Sequence, residues 1–357
     1  MWASEPRTRE SVPKPVSSPP RRIRVALALA GSVLSGVRAL LWVAGEQKAR
    51  DFDQVWFAAR SLLSGRNPYD EIGPGLAFDW PAPLYYPLTA AVPVVPLALV
   101  DRRLAAVLFA AIASGAFVWA ATSRSLGPAV VITSASAALA AEAVQWSPLL
   151  GAAFGLSWLG VLLSAKPTIG FAIFAARPTR AALVGAVTFF ALSLALLPSW
   201  PADWIAALHH TSLGMKGGTP YFAPMGTAGG AFAILALLRW RRPEARLIFA
   251  LACVPQTPLL YETVPLFLVP ATITEGGVLW LGSWMAALWV SLSGPYDADL
   301  PRFIVSARAI GWCLYAPCVV IVLRRRNEGP VPAWLERRIR AWPNWLRGHA
   351  ETTGRED

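Results

Sequence analysis

The sequence predicts an all-α polytopic membrane protein with about ten to twelve transmembrane helices. Composition is the first reason: of 357 residues, 55% are hydrophobic and 15% charged. With a mean hydropathy of +0.47, the chain has too little polar surface to cover a soluble globule of this size. Spacing is the second: apolar runs near the ~20 residues that a bilayer core requires recur along nearly the whole chain, with short polar breaks. These runs are rich in Ala and Leu and lack period-2 alternation, which excludes a β-barrel.

In chain order, residues 1–22 form a basic, Pro/Ser-rich tail expected to be disordered, 23–323 the membrane domain, and 324–357 a basic amphipathic cytoplasmic tail. The N-terminal tail is too long and Arg-rich for a plain cleaved signal peptide, so the first span is expected to be retained. Hydropathy places candidate spans at 23–43, 84–100, 104–121, 128–143, 147–164, 168–176, 181–197, 227–238, 246–260, 264–273, 278–293 and 303–323. The shorter ones are expected to be tilted, broken or re-entrant, which is tolerated only where protein or water covers the backbone.

The formal charge of +11 is distributed as an orientation signal. Arg7, Arg9, Lys14, Arg21, Arg22 and Arg24 lie in the N-terminal tail and at the very start of the first span, and Arg324-Arg325-Arg326 open a basic tail after the last. This flanking pattern serves topology and attraction to anionic lipid, and no nucleic-acid partner is expected. With a cytoplasmic N-terminus, alternation puts Asp101-Arg102-Arg103, Arg177 to Arg180, Arg239 to Arg246 and the C-terminus on the inner side. The outer side receives residues 44–83, the 122–127 turn, the Lys166-Pro167 corner, residues 198–226, the Tyr261-Glu262 corner and residues 294–302. A multi-pass inner (plasma) membrane protein with both termini cytoplasmic is the resulting expectation. Cys253, Cys313 and Cys318 lie in apolar runs without CxxC spacing, and Asp297 with Asp299 is a weak metal signal, so neither metal nor cofactor is expected.

The first outer loop opens on acids. Phe52, Val55, Trp56, Ala59, Leu62 and Leu63 follow i, i+3, i+4, i+7 spacing and line one face of a short helix, which Gly65 and Pro68 stop. Asp53, Arg60 and Ser64 point elsewhere. An amphipathic helix at the membrane interface is expected, with Trp56 at the headgroups. Trp80-Pro81-Ala82-Pro83-Leu84-Tyr85-Tyr86-Pro87 returns the chain to the bilayer. The later loop from Pro198 to Gly226 carries Trp200, Trp204, His209, His210, Lys216, Gly217, Gly218 and Tyr221, a set suited to sugar faces, to a flexible lid or to an interfacial loop. Beyond Pro330, Trp334, Leu335, Ile339, Trp342, Trp345 and Leu346 among arginines read as a helix resting on the inner leaflet.

The loop segment Asp51-Phe52, Trp56-Phe57-Ala58-Ala59-Arg60, Leu62-Leu63, Gly65 and Asn67-Pro68-Tyr69-Asp70, followed by Tyr86-Pro87-Leu88, resembles the first-loop pattern of glycosyltransferase family 87. That family comprises polytopic GT-C-type enzymes related to polyprenol-phosphate-mannose-dependent α-mannosyltransferases. Val144-Gln145-Trp146-Ser147-Pro148 is similar to the family's Gly-Gln segment, with Val144 in place of its Gly, and Ala165-Lys166-Pro167 is similar to its Lys-Pro corner. The likeness runs in order from about residue 50 to 270. It implies a GT-C-like bundle and transfer of a hexose, mannose in the related branch, from a polyprenyl-phosphate donor to a lipid or glycan acceptor.

Such a reaction needs a base for the acceptor hydroxyl and groups that stabilise the departing phosphate. The likeness assigns the base to Asp51, with Asp53 as the alternative; the plainer reading of Asp51 is a helix cap. Lys166 is expected to pair with lipid phosphate or to snorkel to the interface. Glu262, next to Tyr261, is expected to bind an acceptor hydroxyl or to neutralise Lys166. Gln145 fits less well, because the span count leaves it on the cytoplasmic side. His209, His210 and Tyr86 complete the substrate-binding candidates. Asp51, Lys166 and Glu262 should then converge on one cavity. Arg38 and Arg308, within spans, are expected either to mark a partner or a watery groove or to reach the headgroups from near a span end. The competing class is a transporter or lipid flippase, but acids concentrated on the first outer loop, with no visible repeat, favour an enzyme.

Overall fold

A computed structural model describes residues 18–45, 50–212, 223–293, 300–329, 331, 336 and 337. Among these the protein is helical apart from one parallel pairing of Ile72–Gly73 with Phe78–Asp79. Helix α1 spans Arg21–Gly45, α2 Asp51–Leu63, α3 Arg102–Ala121, α4 Ala135–Glu142, α5 Ser147–Ala152, α6 Pro167–Ala176, α7 Arg180–Leu196 and α8 Trp200–Ser212. Then come α9 (Pro243–Cys253), α10 (Ile273–Leu292), α11 (Leu300–Ile310) and α12 (Ala316–Leu323), the last two joined by a π-helical turn, Gly311–Tyr315. Short 3-10 runs, notably Ser157–Ala165 and Leu260–Leu268, fill much of the remainder.

Antiparallel α1 and α3 frame the fold. Arg24, at the start of α1, donates to the Trp119 carbonyl at 2.8 Å near the end of α3 and lies over its indole ring. Small residues let the two backbones approach: Ser35 Oγ donates to Ser114 Oγ at 2.6 Å, and a Cβ on Gly115 would lie 2.1 Å from Ser32 Oγ. Close packing of this kind replaces the hydrophobic drive that helices lose in lipid. Asp101 caps α3 by accepting from the Arg103 and Leu104 amides, and Thr272 with Glu275 forms a capping box on α10.

Among the described residues, three helices are long and apolar enough to cross a membrane: Arg21–Trp42, Arg102–Ala121 and Phe303–Leu323. The α7–α8 pair, bent by 97°, makes a fourth if taken as one span. Unbroken helices of this length are thus fewer among the described residues than the ten to twelve expected spans. Prolines and glycines cut most of the remaining apolar runs into pieces shorter than a bilayer core.

The clearest case is 84–100, expected as a span. Pro87, Pro93 and Pro96 leave it one four-residue helical turn, Leu88–Ala91, and two 3-10 turns. It runs along α2 instead, where Trp56 Nε1 donates to the Leu97 carbonyl at 3.1 Å and Arg60 to that of Ala98 at 3.2 Å. The Trp56 N–H, expected among headgroups, is thus bound within the protein. The segment also starts and finishes at one end of the bundle, because Arg102, just beyond it, pairs with Asp53 Oδ2 at 3.3 Å.

This changes which segments share an end of the bundle. Asp101-Arg102-Arg103 belongs to the α2 end, not with the other basic clusters, and the 122–127 turn belongs to the opposite end. There Arg124 lies 3.7 Å from Glu244, Arg177 donates to the Phe154 carbonyl, Arg246 to that of Ala176 and Arg239 to that of Arg325. The 147–164 run compensates for the lost crossing. It folds as two pieces, α5 and the Ser157–Ala165 run, which meet near Gly155, whose backbone lies against Ala120. Lys166 consequently still returns to the α2 end.

Arg38, half-exposed in α1, pairs with Glu142 at 3.5 Å, whereas Arg308 is exposed. Residues 1–17, Lys216 to Tyr221, Asp297, Asp299 and the segment holding Trp334, Ile339 and Trp342 lie outside the described residues.

Candidate active site

Four chain corners meet at the α2 end. Asp51 is the first residue of α2 and is half-buried, with its carboxylate facing the bundle. Gln145, 1% exposed, lies just past α4 and donates through Nε2 to Asp51 Oδ2. Its Oε1 accepts from Lys166 Nζ at 3.1 Å. The same ammonium donates to Glu262 Oε1 at 2.6 Å, and Glu262 is 2% exposed. Tyr261 closes the group: its hydroxyl donates to Asp51 Oδ2 at 3.5 Å, the outer limit of a hydrogen bond, and its ring lies 5.4 Å from Lys166 Nζ. The amide of Gln145 is oriented as the charges demand, nitrogen toward the carboxylate and oxygen toward the ammonium.

Each corner has a local cause. Arg50 is the N-cap of α2, and Asp53 Oδ2 accepts from the Arg50 amide at 2.9 Å, so the helix starts at Asp51. Lys166 caps α6, where Pro167 at the first helical position fixes the turn. Glu262 lies in the Leu260–Leu268 run, held from both sides: Ser147 Oγ donates to the Tyr261 carbonyl at 2.5 Å, and Thr263 Oγ1 is 2.8 Å from Ser136 Oγ in α4.

Gln145 owes its place to a backbone feature. The Gln145 amide donates to the Ala140 carbonyl and the Val144 amide to that of Ala141, which is the Schellman arrangement that ends α4. Its left-handed residue is Val144, at φ +50. A β-branched residue there is strained, and glycine is the usual occupant. Because Val144 is also 1% exposed, Val144→Gly loses packing as it relieves strain, and the informative comparison is with Ala. Val144→Gly is expected to be more stable than Val144→Ala by about 1 kcal/mol. Thermal unfolding of the two purified variants checks this, and equal or reversed midpoints would contradict the strain.

Of the other candidates, Asp53 is committed to different partners. Asp53, 4% exposed, spends Oδ2 on the Arg50 amide and on Arg102, so it secures α2 and the start of α3 rather than joining Asp51. Tyr86 is half-buried, and its carbonyl accepts from the Tyr69 hydroxyl at 3.1 Å, which shapes the loop. His209 is exposed near the end of α8, and the His210 side chain lies outside the described residues. Gln145 is corrected in the opposite sense: expected on the far side, it is the hub of the cluster. Sequence reasoning gave no weight to Ser147 or Ser136. Ser147 stands two residues beyond Gln145, yet a Ser-to-carbonyl contact has no signature in spacing.

Burial pushes the Asp51 carboxyl above its ordinary range, against the Lys166 ammonium and the Gln145 and Tyr261 hydrogen bonds, which act downward. Burial also pushes Glu262 up, opposed by Lys166 and reinforced by the Asp51 charge. The two acids thus face one shared ammonium. Because the folded state binds protons more readily at these sites, the stability they contribute is present below the unfolded carboxyl values and is lost as pH rises through the folded ones. Glu262 Oε2 has no hydrogen-bond partner among the described residues. It borders a small cavity lined by Gln256, Thr257 and Tyr315, of about 10 Å³, room for one water. No group of three His, Cys, Asp or Glu that would hold a metal occurs among the described residues.

Chemically, the cluster offers a half-buried carboxylate and a half-buried ammonium side by side, oriented by a buried amide and a buried second carboxylate. A pair of this kind can take a proton from a hydroxyl and hold an anion next to it. No family model, curated protein or solved structure matches the chain.

Proposed function

We propose that the protein is a polytopic integral membrane glycosyltransferase that moves a hexose, mannose by the family likeness, from a polyprenyl-phosphate donor to a hydroxyl of a lipid or glycan acceptor. The observation that carries this reading is the placement of Asp51 and Lys166, from corners far apart in sequence, in one hydrogen-bonded group joined by Gln145. The acceptor oxygen bonds to the anomeric carbon, the bond from that carbon to the phosphate oxygen breaks, and the hydroxyl proton passes to Asp51. The polyprenyl phosphate leaves with the electron pair, beside the Lys166 ammonium. Glu262 holds that ammonium in place. In the membrane, the arginine-rich end faces the cytoplasm and the α2 end the outer leaflet of the plasma membrane, in line with the positive-inside tendency.

The test is transfer from radiolabelled polyprenyl-phosphate mannose in membranes carrying the protein. Product that requires Asp51 supports the reading. Absence of any transfer by well-expressed wild type, across mannose and glucose donors, overturns it.

A pH profile adds a signed expectation. The base works unprotonated, so transfer falls on acidification through an apparent value above the ordinary carboxylate range, in the direction set by burial. Glu262→Gln removes the anion that competes for Lys166, so the acidic limb moves to lower pH. An acidic limb that stays in place in Glu262→Gln would show that the two acids do not share the ammonium.

A further inference from the structure

At the end opposite the cluster, a cavity of about 150 Å³ opens between the turn after α3, the end of α6, the start of α9 and the stretch before α10. Its polar wall carries Arg124, Arg177, Arg325, Ser123, Ser125 and Glu244. Its apolar wall is built from Phe154, Pro128 and the Leu268-Val269-Pro270 stretch. The charges do not balance inside. Arg325 is matched by Glu275 at 2.6 Å, and Arg124 reaches Glu244 only at 3.7 Å. Arg177 donates to the Phe154 carbonyl, and among the described residues no carboxylate lies within ion-pair distance of it.

Part of this has a structural cause, since a cation at the end of α6 complements the helix dipole. Among the described residues Arg124 is met only by Glu244 at 3.7 Å, and burial holds the Arg177 guanidinium below its ordinary range, with Arg124 adding to this and Glu244 working against it. Two guanidiniums and two hydroxyls around one cavity form a fork geometry suited to phosphate oxygens. The apolar wall decides between sources of phosphate: Ile273, 64% exposed beyond the rim at Ala271, extends the apolar surface outward. A free anion makes no use of such a surface, whereas a lipid acyl chain does.

We propose that this cavity binds the phosphate of an anionic phospholipid headgroup, gripped by Arg177 and Arg124 with Ser123 and Ser125, while the acyl chains leave over the apolar wall. Basic pockets between membrane helices are suited to such headgroups. Nothing in this assignment depends on glycosyl transfer. The site lies at the other end of the bundle and stands or falls separately.

The experiment is native mass spectrometry of the full-length protein, titrated with phosphatidylglycerol or phosphatidylcholine, with inorganic phosphate as a competitor. Wild type is expected to retain phosphatidylglycerol over phosphatidylcholine, and Arg124→Gln with Arg177→Gln together to weaken it by about a hundredfold, roughly tenfold for each lost charged contact. Since Arg177 also braces the Phe154 carbonyl, a second variant, Ser123→Asp, adds a repelling carboxylate while leaving both arginines. It is expected to weaken phosphatidylglycerol alone, with an unchanged melting temperature. Equal retention of both lipids by wild type, or undiminished phosphatidylglycerol binding in Ser123→Asp and in the double variant, overturns the proposal. Full displacement by inorganic phosphate at equal concentration would assign the cavity to the free anion and overturn the lipid.

Discussion

Asp51→Asn is expected to lower glycosyl transfer by about 10²–10⁴-fold, the usual contribution of a positioned base, with expression and melting temperature close to wild type. The amide keeps the shape of the carboxylate and still accepts from Gln145, so the cluster stays assembled, but it takes no proton from an acceptor. Asp53→Asn is the matched control. Its carboxylate accepts from the Arg50 amide and pairs with Arg102 at 3.3 Å, so its loss is expected to cost about 1 kcal/mol of stability and little of the chemistry. Transfer measured in membranes at matched protein levels checks both. Transfer lost in Asp53→Asn and kept in Asp51→Asn would reverse the assignment, and equal activity in the two would remove the base from this loop.

Lys166→Met is expected to have two separable effects. Transfer falls by about 10²–10³-fold, because the departing phosphate loses its cation. Stability falls as well, by up to about 3–5 kcal/mol, the cost of stranding one partner of a buried pair. Lys166 Nζ and Glu262 Oε1 are 2.6 Å apart, and Glu262 is 2% exposed. Protonation of the abandoned Glu262 limits that cost, since burial already favours its neutral form. Adding Glu262→Gln should therefore restore the melting temperature without restoring transfer. Thermal unfolding and transfer assays on the single and double variants separate the two effects. A double variant no more stable than Lys166→Met would show that the buried pair is not what the lysine holds together.

Several features were legible in the chain itself. Composition and run length fixed the helical, membrane-class reading, and the 3.6-residue spacing of Phe52, Val55 and Ala59 marked the buried face of α2. The isolated Lys166 before Pro167 was conspicuous because an ammonium beside an apolar run needs a partner. The partner, and the whole role of Gln145, were not legible. Hydropathy scores the length of an apolar run but not whether its prolines let it cross, and each miscounted crossing flips the side assigned to everything after it. Counting 84–100 as a span moved Asp101-Arg102-Arg103 away from Asp53 and Gln145 away from Asp51. Counting 147–164 as one span then cancelled the error, which left Lys166 and Glu262 on the right side of Asp51.

What the sequence determined by itself is the material: apolar helices, an acid-led amphipathic helix, a lone lysine at a proline corner, and arginines gathered at the ends of runs. Those properties are local, set by residue type and spacing within a few turns. The tertiary structure alone decided which corners meet. Asp51, Gln145, Lys166 and Glu262 share hydrogen bonds across as many as 96 residues between directly bonded partners. That meeting depends on where prolines break the runs, where a left-handed Val144 turns the chain, and how closely small residues let α1 and α3 pack. Contacts of that range follow from the parity and geometry of the whole chain path, which no short window of sequence contains.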